Sequence, residues 1–262
     1  MNSNMMSHIT WREFERRVVV NGDVVLLPVG ALEQHGWHLP LGVDWMLANE
    51  VALRVATRVN GVVAPPVCYG ARSQLRSGGG EHRVGTTGVR GATLIQNVLD
   101  ILVSLARKGA KKIVVIDGHY ENGPFLNECC EQAVDALTTL GVEGCRIMKI
   151  MYGEDFPDAL LREVYGDRPS PGMALEHAAL LETSMMMYCF PELVGDPEYA
   201  GQVIAAFPAY DNFPPTESWV PASGALAPAF GATADKGAKL VEHFVSAVAD
   251  AIRRELLTAK GS

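Results

Sequence analysis

Two short stretches of this chain carry carboxylates and imidazoles at spacings that suit metal binding. The first, Leu26 to Trp45 (LLPVGALEQHGWHLPLGVDW), holds Glu33, His35, His38 and Asp44 among Gly30, Gly36, Pro40 and Gly42. The second, Ile113 to Asn122 (IVVIDGHYEN), ends an apolar run in an Asp-Gly pair and then sets His119 two residues before Glu121. In extended backbone, residues i and i+2 point to the same side, roughly 6 to 7 Å apart. Glu33 with His35, and His119 with Glu121, can therefore each aim two ligands into one cavity, and Asp44 adds a third carboxylate. A single zinc usually takes three or four protein ligands, whereas five with a bridging carboxylate suit two divalent ions about 3.5 to 4 Å apart. Asp44 is the expected bridge. Oxygen and nitrogen donors without sulfur suit zinc or manganese, and availability can decide between them.

Each of these residues also has an ordinary use. A histidine in a glycine-rich loop can serve a turn, and Glu33 or Asp44 alone could cap a helix. What favours ligation is that the paired spacing recurs after two apolar runs. His38 can hold a ligand loop from outside the metal shell or fill a turn, and His82 is a weaker candidate still. Ser77-Gly78-Gly79-Gly80 lacks the lysine and following helix of a phosphate-binding loop, so it reads as backbone that closes on a small ligand. Met185 to Met187 reads as core packing.

The elements that must position these loops follow from hydrophobic period. Val24–Val29 has the composition of a strand buried on both faces, Leu47–Val59 is an amphipathic helix, and Val62–Pro65 is a second strand. Cys68 to Gly88 is too long and polar for a plain connection and is expected to be an active-site loop. Ala92–Lys108 is a helix with Leu94, Val98, Ile101, Leu102 and Leu105 on one stripe, and strand Ile113–Ile116 follows. Pro124–Leu140 reads as a helix, Arg146–Met151 as a strand, Pro157–Val164 and Ala174–Tyr188 as helices, and Thr233–Leu256 as a closing helix. Phe190 to Gly231 is expected to be irregular, with room for a short hairpin. Alternating strands and helices imply an α/β fold of three layers, a mostly parallel sheet with helices on both faces, built as a single domain over residues 1–262. Ligands of such sheets sit outside the carboxyl ends of the strands. Both ligand loops leave strands there, so the topology predicts that they meet.

Composition narrows the function classes. A formal net charge of −8 without a basic run argues against nucleic acid as a partner. No apolar run reaches the roughly eighteen residues of a spanning helix, and the first residues have no signal-peptide core. A cytoplasmic protein without membrane contact is therefore expected. Five cysteines without CxxC spacing indicate neither a disulfide framework nor a cysteine zinc site.

Four motifs together resemble the creatininase (creatinine amidohydrolase) family: GALEQHGWHLPLGVD from Gly30 to Asp44, SGGGEHRVGTT from Ser77 to Thr87, DGHYENG from Asp117 to Gly123, and LEHAALLETS from Leu175 to Ser184. The resemblance runs from about Trp11 through the final helix. It implies a homohexameric hydrolase with two metal ions per chain, zinc and/or manganese. Mapped by motif, it makes Glu33 and His119 ligands of one ion and His35 and Glu121 of the other, with Asp44 between them. Ser77, Tyr120 and the segment Met173, Glu176 and His177 correspond to contacts with a small-molecule substrate. The implied reaction opens the cyclic amide of creatinine: a water activated by the ions attacks the ring carbonyl, and the leaving nitrogen is protonated. His177, with an ordinary pKa near 6.5, can supply that proton, or it can simply pair with Glu176 or Glu182 on a helix.

The chain departs from the family in one respect. Creatininases carry tryptophans beside the substrate, one shortly before the LEH motif and one after the strand that follows DGHYEN. Here those stretches read PSPGMALEH and MYGEDF, placing Met173 and Glu154 or a neighbour where aromatics would stand. A flat cationic ring gains about 0.5 to 2 kcal/mol from an aromatic face. Three readings follow: creatinine opening, hydrolysis of a different amide or formamide at the same site, and a non-catalytic binding protein that keeps the fold. A full ligand set argues against the third.

Overall fold

The computed structural model describes residues 3–151, 156–168 and 170–258. Its strands are β1 (Val25–Val29), β2 (Val62–Val63), β3 (Lys112–Asp117) and β4 (Arg146–Met151). They form one parallel sheet in the order β2-β1-β3-β4, with Leu26 in register with Val63 on one side and Val114 on the other. The helices are α1 (Trp11–Phe14), α2 (Val43–Val59), α3 (Leu75–Gly78), α4 (Gly91–Arg107), α5 (Gly123–Thr139), α6 (Asp158–Tyr165), α7 (Leu180–Cys189) and α8 (Ala234–Ile252). Parallel neighbours need crossovers, and α2 links β1 to β2 while α5 links β3 to β4.

Strand side chains alternate between two helical layers. Leu26, Val114 and Ile116 face one core with α2, α7 and α8, while Val25, Leu27, Ile113 and Val115 face a second core with α4 and α5. All five residues of β1 are buried, which is why it reads as a continuous apolar run. The three-layer α/β arrangement is the one the alternation predicts.

Two local expectations differ from the structure. Ala174–Tyr188 is not one helix: a short turn over Met173–Leu175 is followed by irregular backbone, and α7 begins only at Leu180. Ala178 takes a left-handed conformation at φ 54°, and two carboxylates stabilise the break. Glu176 Oε2 accepts the Leu181 amide at 3.0 Å, and Glu182 Oε2 accepts the Ala178 amide at 2.6 Å. Helical composition yields here because those side chains offer the backbone other partners. The hairpin allowed for in 190–231 does not form, and that stretch contains no strand. Glu154 lies outside the described residues.

Candidate metal centre

Asp44 reaches the centre because two glycines make room for its backbone. A side chain on Gly30, just past β1, would stand 2.3 Å from the Trp45 amide nitrogen, and one on Gly118, just past β3, would stand 2.3 Å from the Asp44 carbonyl oxygen. The N-terminal turn of α2 is thus wedged between the ends of the two central strands. That end of a helix favours a carboxylate.

Around Asp44 the two strand-end loops converge. Asp44 Oδ1 lies 3.1 Å from His35 Nε2, and Asp44 Oδ2 lies 3.1 Å from His119 Nδ1. Glu33 Oε1 stands 3.4 Å from His119 Nδ1, and Glu182 Oε2, from α7, stands 3.7 Å from His35 Nε2. Two groups result, each with its ligand-capable atoms within 4.8 Å of one another: Glu33, Asp44 and His119, and His35, Asp44 and Glu182. Asp44 belongs to both. Glu33, His35 and His177 form a third such set.

The hydrogen bonds of the imidazoles show what the cluster lacks. His119 Nε2 faces the Ala71 carbonyl at 3.0 Å and His35 Nδ1 faces the Glu33 carbonyl at 3.2 Å, so each ring has its outer nitrogen as the N–H. Their inner nitrogens are then bare and face carboxylate oxygens. His35 Nε2, Asp44 Oδ2 and Glu33 Oε2 are buried and make no hydrogen bond. Lone pairs directed at lone pairs in a dry interior require a cation between them. The proton affinities report the same demand. Burial opposes a charge on His35, yet Asp44, Glu182 and Glu33 outweigh it and raise its pKa to about 10. Burial also opposes charge on Asp44, but His35 and His119 hold it down at about 2. Two hard-to-borderline divalent ions sharing Asp44 fit this donor set.

The remaining predicted residues line a cavity of about 100 Å³ above the cluster, walled by Met151, Phe156, Leu181 and Met185. Ser77, Tyr120, Glu121, Met173, Glu176 and His177 all border it. Glu121 belongs to neither ion group. Its Oε1 accepts from Ser77 Oγ at 2.6 Å and from the Gln74 amide at 2.9 Å, while Oε2 lies 3.5 Å from His119 Nε2. Burial pushes its pKa up. His177 does not pair with Glu176 or Glu182, which bond to backbone amides. Its Nδ1 lies 3.5 Å from Glu33 Oε1, and burial, with the His35 charge beside it, depresses its pKa to about 3. Glu176 is buried with Oε1 unpartnered, and burial raises its pKa to about 8. His38 is buried and bonded to Thr183 Oγ1 at 2.9 Å, linking the first ligand loop to α7 next to Glu182. His82 borders a separate cavity.

Spacing gives no sign of Glu182, which shares no i, i+2 pair with another candidate ligand and arrives on a helix from the far part of the chain. Gln34 and Asn122 were also silent. Asn122 ties three segments together, donating to the Gly30 carbonyl at 3.1 Å and accepting the Ala71 amide at 2.8 Å.

A parallel α/β sheet with this cluster of candidate metal ligands at its carboxyl edge is suited to metal-dependent hydrolysis. The creatininase (creatinine amidohydrolase) profile matches residues 7–252. Creatinine amidohydrolase of Pseudomonas putida is 40% identical over 254 residues, 97% of each chain. The chain belongs to the creatininase family. A crystal structure of creatininase superposes with a TM-score of 0.95 at 39% identity, covering 99% of this chain and 100% of that one. A creatininase variant complexed with creatine gives 0.92 at 39% identity (97% and 99% covered), and a manganese form gives 0.94 at 39% (98% and 100%). Mycofactocin precursor peptide peptidase of Mycolicibacterium smegmatis is 30% identical over 241 residues, 88% of this chain and 85% of that protein.

Proposed function

We propose that this chain opens a small cyclic amide, creatinine in the first place, with two divalent ions, zinc and/or manganese. The observation that carries the reading is the double convergence on Asp44 beneath a small cavity. Glu33, Asp44 and His119 would hold one ion, and His35, Asp44 and Glu182 the other. Glu182 takes the place that motif matching assigned to Glu121, because it stands with His35 and Asp44 whereas Glu121 is engaged by Ser77 and Gln74. When bound, the ions supply a water acidic enough to lose a proton near neutral pH and polarise the substrate carbonyl.

The chain's own residues handle the protons. Glu121 uses Oε1 for its two hydrogen bonds, which leaves Oε2 to take the proton of the attacking water. His177 is neutral at rest, so it donates only after accepting: its Nδ1 receives the proton and passes it to the leaving ring nitrogen. Tyr120, more than half exposed at the rim, and the Glu176 carboxyl, with its free Oε1, contact the substrate. The homohexamer that the family resemblance implies extends the proposal to a cytoplasmic homohexamer of single-domain chains. No helix among the described residues is long and apolar enough to cross a membrane.

One observation favours a second reading, an amide or formamide other than creatinine. Met173 borders the cavity in place of a tryptophan, and with Met151 and Met185 it offers an adaptable aliphatic wall instead of a flat stacking face. The 30% identity to a mycofactocin precursor peptide peptidase supports this breadth. Metal analysis by mass spectrometry followed by a hydrolysis screen over creatinine, hydantoins and formamides tests both. Fewer than one ion per chain after reconstitution overturns the dinuclear centre, and a metal-loaded protein that spares creatinine while opening another amide selects the second reading.

A further inference from the structure

Strand β4 carries one residue that its pattern does not call for. Met148 and Ile150 pack with the core of α2, α7 and α8, while Ile147 packs with the core of α4 and α5. Alternation then turns Lys149 to the α5 side, where an apolar residue is expected. Lys149 stands in register with Val115, and Asp117 lies two residues further along β3 on the same face. A side chain on Gly123, the first residue of α5, would stand 3.7 Å from Lys149 Nζ, which places the ammonium under the start of that helix.

The ammonium faces a carboxylate with no access to water. Asp117 is 0% exposed and its Oδ2 makes no hydrogen bond. Lys149 Nζ, 3.7 Å from that oxygen, is the only cation within ion-pair distance of it among the described residues. Cys130, on α5 near both, adds no charge, since burial pushes its thiol up to about 11. The other oxygen, Asp117 Oδ1, accepts the His119 amide at 3.2 Å and closes a side-chain turn where β3 ends. That turn sets the direction in which His119 leaves the strand, towards Asp44 and Glu33. A buried charge that loses its partner is strongly destabilised, so the cation is what lets a carboxylate occupy this turn.

We propose that Lys149 is a positioning residue for the metal centre: its ammonium holds the Asp117 carboxylate, which in turn fixes the His119 backbone so that Nδ1 meets Asp44 and Glu33. The line Lys149, Asp117, His119 thus runs from the outermost strand of the sheet to the cluster. The effect on metal binding rests on the reading that His119 holds an ion; the effect on the His119 backbone does not.

The first test reads the backbone directly, by hydrogen exchange of the His119 amide in the protein as purified. Exchange is expected to be slow in the parent, at least about tenfold faster in Lys149→Met, and slow again in the double variant Asp117→Asn/Lys149→Met, because asparagine keeps the Oδ1 acceptor and removes the unpaired charge. A His119 amide that exchanges like an exposed one in the parent overturns the proposal without any variant, and so does a Lys149→Met protein with the parent's rate. Should Lys149→Met fail to fold, Lys149→Gln, polar and uncharged, takes its place. The second test titrates zinc against a chelator. Lys149→Met is expected to weaken the ion held by Glu33, Asp44 and His119 by about tenfold to a hundredfold, to affect the ion beside His35 much less, and to be rescued by Asp117→Asn. Equal weakening of both ions, or a double variant no better than Lys149→Met, reduces the pair to general stability of the sheet and overturns the proposal. If the parent takes up no zinc while the exchange pattern still follows Lys149, the reading of the metal centre fails and the positioning of His119 stands.

Discussion

Asp44 Oδ1 lies 3.1 Å from His35 Nε2, in a position where the imidazole nitrogen makes no hydrogen bond. The same carboxylate presents its other oxygen to His119. Its substitution should therefore affect both ions together. Asp44→Asn is expected to lower the affinity for each by at least the ten- to hundredfold that even outer-shell changes cost. Competition titration with a chelator measures it; loss of one ion alone would show that Asp44 is not shared.

Glu182 and Glu121 should separate binding from turnover. Glu182→Gln is expected to weaken the ion beside His35. Glu121→Gln is expected to retain both ions and lose about a hundredfold to ten-thousandfold in kcat, the range of general acid–base catalysis. Metal counting on the two purified variants decides between this assignment and the reverse one.

Removing the ions leaves Glu33, Asp44 and Glu182 close together with no divalent charge between them. Chelation should lower the melting temperature, and zinc or manganese should restore it, since a ligand bound only by the native state stabilises it by mass action. Calorimetry with and without chelator reads this directly. An unchanged melting temperature would argue that protons, not metals, satisfy the cluster.

In metal-free protein Glu176 gives a pH signature. Its folded pKa, raised by burial to about 8, exceeds the unfolded value of 4.5, so the folded state binds more protons between these limits. Stability from this group is complete below pH 4.5 and is lost as pH rises through 8. Glu176→Gln should flatten that decline. A wild-type melting curve already flat across the window would refute the assignment.

His38 acts in the opposite direction. Burial, with His35 adding to it, lowers its pKa to about 4 from 6.5, so the unfolded chain binds the extra proton. Its contribution is complete above pH 6.5 and is lost as pH falls through 4. His38→Ala should remove about 0.5 to 1.5 kcal/mol with the Thr183 hydrogen bond and loosen α7 beside Glu182. Denaturant titration at neutral pH together with metal affinity tests it, and loss of stability without weaker binding would confine His38 to a structural part.

The amino-acid sequence by itself determined the parts whose geometry is local. The continuous apolar runs Val24–Val29 and Ile113–Ile116 mark strands buried on both faces, and the connection rule for parallel strands brings both following loops to one edge. Glu33, His35, Asp44 and His119 are legible for that reason. Tertiary structure alone decided the rest. Glu182 reaches His35 through the packing of α7 on α2 and α8, a contact with no period along the chain. The i, i+2 pairing of His119 with Glu121 could not tell that Ser77 and Gln74 would occupy Glu121. The helical composition of Ala174–Tyr188 concealed the break at Ala178, because backbone hydrogen bonds to Glu176 and Glu182 exist only once the chain has folded around them. Spacing reports where a side chain leaves the backbone; which partner has already claimed its atoms is a property of the packed molecule.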